Sequence, residues 1–349
     1  MTVTISVGIF GASGYTGGEL VRLLACHPSV RIAFVTSERH AGRPLSSVFP
    51  HLASLPELIC QPLEVSRATA CDVAFCALPH LASMDVVPLL LEQGIRVVDL
   101  SADFRLRDGE VYQAWYGAAH KAPALLDEAV YGLPELGSRS AIRQARLVAN
   151  PGCYPTSVLL ALAPLLKEGA IELETLVIDS KSGVSGAGRS ATQGSLFAEV
   201  AEGFRAYKTV GHRHTPEIEQ ELSRLAGIGM RVRFSPHLIP QSRGILTTCY
   251  ARPRKTLTPG EWREMLYRFY QDEPFVHVLP LGEYPATNHV RGSNQCHLAV
   301  ALDERTGWLM VVSVLDNLVK GAAGQAVQNM NILLDLGESA GLEQLPLFP

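Results

Sequence analysis

The stretch "VANPGCYPTSVLLAL", residues 148–162, sets one cysteine among residues that break and restart regular structure. Asn150, Pro151 and Gly152 end any strand before them, Pro155 brings the φ of a first helical residue, and the apolar run that follows suits a buried helix. Cys153 is therefore expected at or just before a helix N-terminus, where amide N–H groups and the helix dipole favour a thiolate. By itself such a cysteine is equally a small buried apolar residue. A nucleophile needs a proton carrier, and "GHRHTPEIEQEL" supplies His212 and His214 ahead of Pro216 at a helix start. The i, i+2 pair is also compatible with a metal, but no third ligand accompanies it in a recognisable motif, so no metal is expected. Surface or capping histidines are the plainer alternative to an acid/base.

A second chemical motif opens the chain. In "GIFGASGYTGGELVRLL", Gly11, Gly14 and Gly17 lie between a first strand and its helix, where amides and dipole cradle a pyrophosphate and side chains would block its approach. Ser13, Tyr15 and Thr16 complete this cofactor loop. The second strand ends "FVTSERHAGR" with Thr36 and Ser37 where an NAD site usually carries an acid, and Arg39 follows. Hydroxyls plus an arginine suit a 2′-phosphate and point to NADP; Glu38 argues the other way, and Arg39 or Arg43 could be solvated loop charges. A thiolate and a nicotinamide together imply one chemistry: attack on an activated acyl group, then reduction of the thioester to an aldehyde. Two further stretches offer polar groups. "SKSGVSGAGRSA" sets Gly183, Gly186 and Gly188 among serines, Ser182 included, beside Arg189, a loop able to hold a phosphate or approach the nicotinamide closely. "DNLVKGAAGQAVQNMN" presents Asn317 and Lys320 before a small-residue helix.

These residues need elements to position them. The first half alternates apolar strands ("TISVGIFG", "VRIAFVTS", "DVAFCALP", "IRVVDLSA") with helices ("GGELVRLLACHP", "MDVVPLLLEQG"), the pattern of a Rossmann-type doubly wound parallel sheet covered on both faces. From about residue 153 helices mix with alternating strands, and "CHLAVALDERTGWLMVVSVLD" reads as a hairpin, so an α+β domain with a mainly antiparallel sheet is expected. A chain of 349 residues fits two domains. Apolar content of 47%, 18% charged residues and a formal net charge of −4 give no footprint for nucleic acid or an anionic membrane, leaving a small-molecule substrate. Seven cysteines, an odd number without a CxxC pair, argue for a reducing compartment. With an N-terminus, "MTVTISVGIF", that starts as a strand, they place the chain in the cytoplasm.

Together, "GASGYTGGELVRLL", "NPGCYPT", "SGVSGAGR", "HRHTPEI", "PHL" before "RGI", and "DNLVKGAAGQAVQNMN" resemble the N-acetyl-gamma-glutamyl-phosphate reductases of arginine biosynthesis, in the family's order and over essentially the whole chain. The resemblance implies NADPH-dependent reductive dephosphorylation of N-acetyl-L-glutamyl 5-phosphate to the semialdehyde, Cys153 as nucleophile, and a fold related to aspartate-semialdehyde dehydrogenase. It implies that residues 316–349 return to the nucleotide domain of 1–152, with 153–315 forming the catalytic and oligomerisation domain of a dimer or tetramer. It assigns the base to the "HRH" motif, carried to His214 because it abuts the TPEI helix start, with His212 as the other possibility. Arg243 is its candidate for the substrate carboxylate, and Arg189 and His212 join it as substrate-binding residues; Ser182, Gly183, Gly186 and Asn317 join the cofactor set. A lysine-pathway homologue differing by one methylene or by its amine cap, worth only ~1–3 kcal/mol of discrimination, and a nucleotide sensor without turnover are the competing readings. Against the sensor, such a protein needs no nucleophile.

Overall fold

The computed structural model describes residues 4–349; the first three residues of the expected N-terminal strand lie outside the described residues. The chain divides into two compact units, one running through Pro151 and including Ala322–Glu343, the other Gly152–Gly321 with Gln344–Pro349. The return crossing thus falls a few residues after the expected 316, and the last six residues lie with the second unit.

In the first unit, β1 (Ile5–Phe10), β2 (Val30–Thr36), β3 (Cys60–Gln61), β4 (Val73–Cys76), β5 (Arg96–Asp99), β6 (Val130–Tyr131) and β7 (Leu147–Ala149) form one sheet in the order β3-β2-β1-β4-β5-β7-β6. Every pairing is parallel. Side chains of a strand alternate between faces, so the unbroken burial of β4 and β7 means that both faces are covered, as parallel sheets require. The order reverses between β1 and β4, the kind of switch point where open α/β sheets bind ligands. At the end of β7, Asn150 is fully buried with each of its polar groups hydrogen-bonded. Its N–H donates to the Asp99 carbonyl (2.8 Å), its carbonyl accepts from Arg105 Nε (2.8 Å), its Nδ2 donates to the Ala322 carbonyl (3.1 Å) and its Oδ1 accepts from Asn329 Nδ2 (3.0 Å).

In the second unit, β8 (Val177–Ser182), β9 (Arg205–Ala206), β10 (Arg233–Leu238), β11 (Ile245–Ala251), β12 (Val276–Val278), β13 (Cys296–Asp303) and β14 (Trp308–Leu315) form a sheet in the order β12-β13-β14-β11-β8-β10-β9. It is mainly antiparallel, with β12–β13 and β8–β10 as the parallel pairs. The β13–β14 hairpin pairs Asp303 with Trp308 across the turn that "DERTGW" signals.

One face of this sheet packs on the Cys153–Lys167 helix, which is buried from Tyr154 to Leu166. Pro164 sits inside it without an N–H to give the carbonyl four residues back, that of Leu160. The buried hydroxyl of Tyr270 donates to that carbonyl at 2.7 Å and so replaces the missing backbone bond. Tyr270→Phe therefore leaves a buried carbonyl without this donor and should cost about 1–3 kcal/mol in urea denaturation. An unchanged midpoint and slope would show that the proline is accommodated by other means.

Candidate active site

The helix begins at Cys153, with Gly152 as an extended N-cap (φ −70°, ψ 154°), no capping side chain and no acid in its first turn. Pro155 is its third residue and not the first; proline is harmless there, since first-turn N–H groups have no intrahelical acceptor. Cys153 is half-buried, whereas Cys60, Cys71, Cys76, Cys249 and Cys296 are buried and Cys26 is exposed. Burial pushes the Cys71 thiol up to about 11 and raises those of Cys60, Cys76 and Cys249. None of these four is poised to ionise near neutral pH. The Gly152 N–H donates to Glu217 Oε1 at 2.8 Å. The Cys153 side chain rests on Gly321, where a Cβ would lie 2.8 Å from the Cys153 Cβ. Gly321 belongs to a π-helical turn, Val319–Ala323, closed by its N–H to the Asp316 carbonyl at 2.9 Å. In the sequence this glycine is one of a run of small residues; its contact is with the cysteine itself.

His214 is the N-cap of the Thr215–Ala226 helix, which packs against the Cys153 helix. His212 Nδ1 accepts the His214 N–H at 3.1 Å, so that nitrogen carries a lone pair and the neutral ring holds its proton on Nε2. Burial, aided by Lys208 and Arg213, pushes His212 down to about 4. His212 is thus a neutral ring committed to the backbone, and His214 is the histidine at the helix start. Their ring centroids are 5.1 Å apart, and the Tyr154 ring meets both edge-on at 5.5 and 5.8 Å. The Tyr154 and Tyr207 hydroxyls lie 3.2 Å apart, and Tyr154 donates to the His237 carbonyl at 3.3 Å. Burial raises both phenols, Tyr207 to about 12, so neither is a base. Sequence reasoning assigns no role to Tyr154, Tyr207 or Glu217; only the spacing of Glu217, three residues after His214, carries a signal.

The glycine–serine loop is knit into the same unit. A Cβ on Gly183 would lie 2.9 Å from the backbone of residues 241–243, and the Gly183 N–H donates to the Gly244 carbonyl at 2.9 Å. Asn317 joins the two loops, accepting the Gly244 N–H (2.7 Å) and donating to the Ser185 hydroxyl (2.9 Å). Ser182 is buried, with its hydroxyl 3.3 Å from where a Gly186 Cβ would stand. Arg243 extends from this junction, its Nη1 3.6 Å from buried Asp316, and Arg189 stands exposed on the loop. Among the described residues no group of three or more His, Cys, Asp or Glu side chains is arranged to hold a metal ion.

In the first unit, the loop after β1 meets the requirements of a dinucleotide phosphate. Gly11 has φ +89°, and a Cβ there would lie 2.4 Å from the Ala77 carbonyl; one on Gly17 would lie 2.5 Å from the Gly11 carbonyl. Beside Gly14, by contrast, the space is open to 3.9 Å. Gly14 is the N-cap of the Tyr15–Leu24 helix, with no capping side chain and no acid in the first turn, and Thr16 lies in that first turn. Thr36 Oγ1 accepts the Gly11 N–H at 3.1 Å, and the Ser37 hydroxyl donates to Ser13 Oγ at 2.8 Å. Glu38 is turned away to accept the Leu63 N–H. Arg39 is exposed and forms no ion pair among the described residues. A pyrophosphate at Gly14 and a 2′-phosphate near Ser37 and Arg39 fit this donor set.

Residues 6–145 match the family model described as the NAD binding domain of semialdehyde dehydrogenase, and 153–317 the one described as its dimerisation domain. The chain is 58% identical to the N-acetyl-gamma-glutamyl-phosphate reductase of Magnetococcus marinus over 99% of both chains. It is 56% identical to the reductase of the same name from Pelobacter propionicus, over 99% of this chain and all of the relative. Among solved structures, aspartate semialdehyde dehydrogenase II of Vibrio cholerae is similar at 18% identity and TM-score 0.72, covering 95% of this chain and 98% of that one. The Candida albicans aspartate semialdehyde dehydrogenase solved with NADP is similar at 17% identity and TM-score 0.72, covering 95% and 98%.

The depressed His212 has a measurable consequence. Its folded value of about 4 lies below the ordinary 6.5, so the unfolded chain takes up the proton first, and this residue destabilises the fold progressively as pH falls from 6.5 towards 4. His212→Asn keeps an oxygen able to accept the His214 N–H but does not titrate. Urea midpoints at pH 7 and 4.5 should show the variant gaining on the wild type at the lower pH; a gap that stays constant would contradict the assignment.

Proposed function

Because this chain belongs to the N-acetyl-gamma-glutamyl-phosphate reductases, we propose that Cys153 and His214 perform its reaction, the reductive dephosphorylation of N-acetyl-L-glutamyl 5-phosphate to the 5-semialdehyde in arginine biosynthesis. The observation that carries these assignments is the half-buried thiol on the first residue of a helix without a capping side chain, packed against a helix that starts at His214.

His214 takes the thiol proton, and the Cys153 thiolate attacks the acyl carbon. The carbon–oxygen bond to phosphate breaks with its electron pair leaving on the phosphate, and a thioester remains on Cys153. For the reduction of this thioester, NADPH held by the residues named below would supply the hydride. The resulting oxyanion on Cys153 collapses, the carbon–sulfur bond breaks, and the semialdehyde leaves with the thiolate restored. His214 gives the proton it took to the departing phosphate, and one proton taken up from solvent returns the Cys153 thiolate to the thiol, so each turnover consumes one proton besides the hydride. We assign the phosphates of the dinucleotide to Gly11, Ser13, Gly14, Tyr15, Thr16 and Gly17, its 2′-phosphate to Ser37 and Arg39, and its nicotinamide end to the loop of Ser182, Gly183, Gly186 and Asn317. Arg243 would take the substrate carboxylate, Arg189 the acyl phosphate, and the Nε2–H of His212 a substrate oxygen.

The protein self-associates, as a chain carrying a dimerisation domain does, and the face of the second sheet away from the Cys153 helix supports a dimer or tetramer. That face carries partly exposed Leu246, Tyr250, Met310 and Val312. Its seven free cysteines support a cytoplasmic location.

His214→Asn should lower kcat by ~10²–10⁴-fold with NADPH affinity within a few-fold of wild type, the loss of a positioned proton carrier. His212→Asn should keep kcat within about tenfold. The reverse pattern exchanges the two histidines, and two unimpaired variants would remove the base from this motif.

A further inference from the structure

Asp316 follows β14 directly and is fully buried. Its carboxylate is fixed from two sides: Oδ1 accepts the Leu318 N–H and Oδ2 the Gly292 N–H, both at 2.8 Å. The first of these bonds is a local turn, which asparagine makes as well as aspartate does. A full charge shut away from water costs more than an amide unless another charge meets it. Arg243 supplies such a charge, its Nη1 standing 3.6 Å from Asp316 Oδ2 while its side chain stays 29% exposed. The backbone beside Arg243 is held by the next residue along, since Asn317 Oδ1 accepts the Gly244 N–H at 2.7 Å. Asp316 also reaches toward the cysteine through its main chain. Its carbonyl accepts the Gly321 N–H at 2.9 Å, and Gly321 is the glycine on which Cys153 rests. One buried residue thus holds the guanidinium with its side chain and the seat of the thiol with its main chain.

We propose that Asp316 is a positioning residue that sets the length of substrate the enzyme accepts. The inference rests on the assignment of Arg243 to the substrate carboxylate and of Cys153 to the acyl carbon. With both groups referred to one buried residue, their spacing is fixed, and it suits one separation of carboxylate and acyl carbon along the substrate chain. A homologue with one more methylene carries the same two end groups but holds them too far apart to meet both at once. Asparagine at this position keeps one acceptor oxygen for the turn, sets an NH₂ where the other oxygen stood and removes the charge that draws the guanidinium in. Arg243 then loses its anchor, and the spacing is no longer enforced.

The test runs the full-length enzyme in reverse, with inorganic phosphate, NADP and either N-acetyl-L-glutamate 5-semialdehyde or the homologous semialdehyde one methylene longer. It compares kcat/KM for the two in the wild type, Asp316→Asn, Asp316→Glu and Arg243→Gln. The wild type should prefer the shorter substrate by about 10–100-fold, the scale of one methylene. Asp316→Asn should raise KM for the shorter substrate about tenfold and bring the preference to within about threefold. Asp316→Glu keeps the charge but moves it by one methylene, and should lower the preference by about threefold or more. A merely structural loss lowers kcat/KM for both substrates alike and leaves the preference at its wild-type value. That result overturns the proposal, as does a wild type that takes both substrates equally. If Asp316→Asn does not fold, Asp316→Glu decides by the same ratio. Arg243→Gln separates the two levels of the argument. Unchanged KM and preference in that variant defeat the assignment of Arg243 itself, whereas a preference lost there and kept in the Asp316 variants defeats only the role of Asp316.

Discussion

Within the first unit, one buried side chain ties together the two places where the chain leaves and re-enters it. Asn150 does this with a side chain shut away from water and hydrogen-bonded at every polar group. Its Nδ2 binds the carbonyl of Ala322, the first residue after the return crossing, while Pro151, the last before the outward crossing, follows it directly. Deleting one partner of such a set would strand buried polar groups, each worth about 1–3 kcal/mol. On the second unit's side of the same crossings stand Cys153 and Gly321, and the cysteine rests on the bare Cα of the glycine.

One helix start in each unit shares a second feature. Two helices without an assigned chemical role are capped by side chains: Asp108 accepts the N–H groups of Glu110 and Val111, and Thr258 forms a capping box with Glu261. The helix starts proposed to meet the dinucleotide and to carry the nucleophile follow Gly14 and Gly152, each extended and without a capping side chain or a first-turn acid. A bare helix start leaves its amides and dipole to whatever anion arrives. In the proposed scheme that anion is a phosphate in one unit, and in the other a thiolate or the oxyanion derived from it. The same local physics thus serves binding and nucleophile activation.

Much of this is legible in the sequence because it is local. The glycine loop, the broken strand before Cys153, the long alternating strands β8, β11, β13 and β14, and the helix start after His214 are all marked within a few residues of themselves. What is hidden depends on distant partners. The two- and three-residue strands β3, β6, β9 and β12 are too short to show a period. Pro155 looks like a first helical residue, because the extended Gly152 that lets Cys153 start the helix leaves no mark. Gly321 looks like a packing glycine until Cys153 is found against it, and Glu217 looks like half of a capping box until its acceptor oxygen is found on Gly152. Tyr270 gives no hint that it completes a proline-broken turn more than a hundred residues away in the chain.

The central claim is that the acyl group of the substrate becomes bonded to Cys153 before it is reduced. Mixing enzyme with N-acetyl-L-glutamyl 5-phosphate without NADPH, and following both released phosphate and peptide mass, tests this directly. The account predicts a burst of about one phosphate per subunit and an N-acetylglutamyl adduct on the peptide containing Cys153, discharged to semialdehyde when NADPH is added. Phosphate release only after NADPH is added, with no adduct on Cys153, would contradict it.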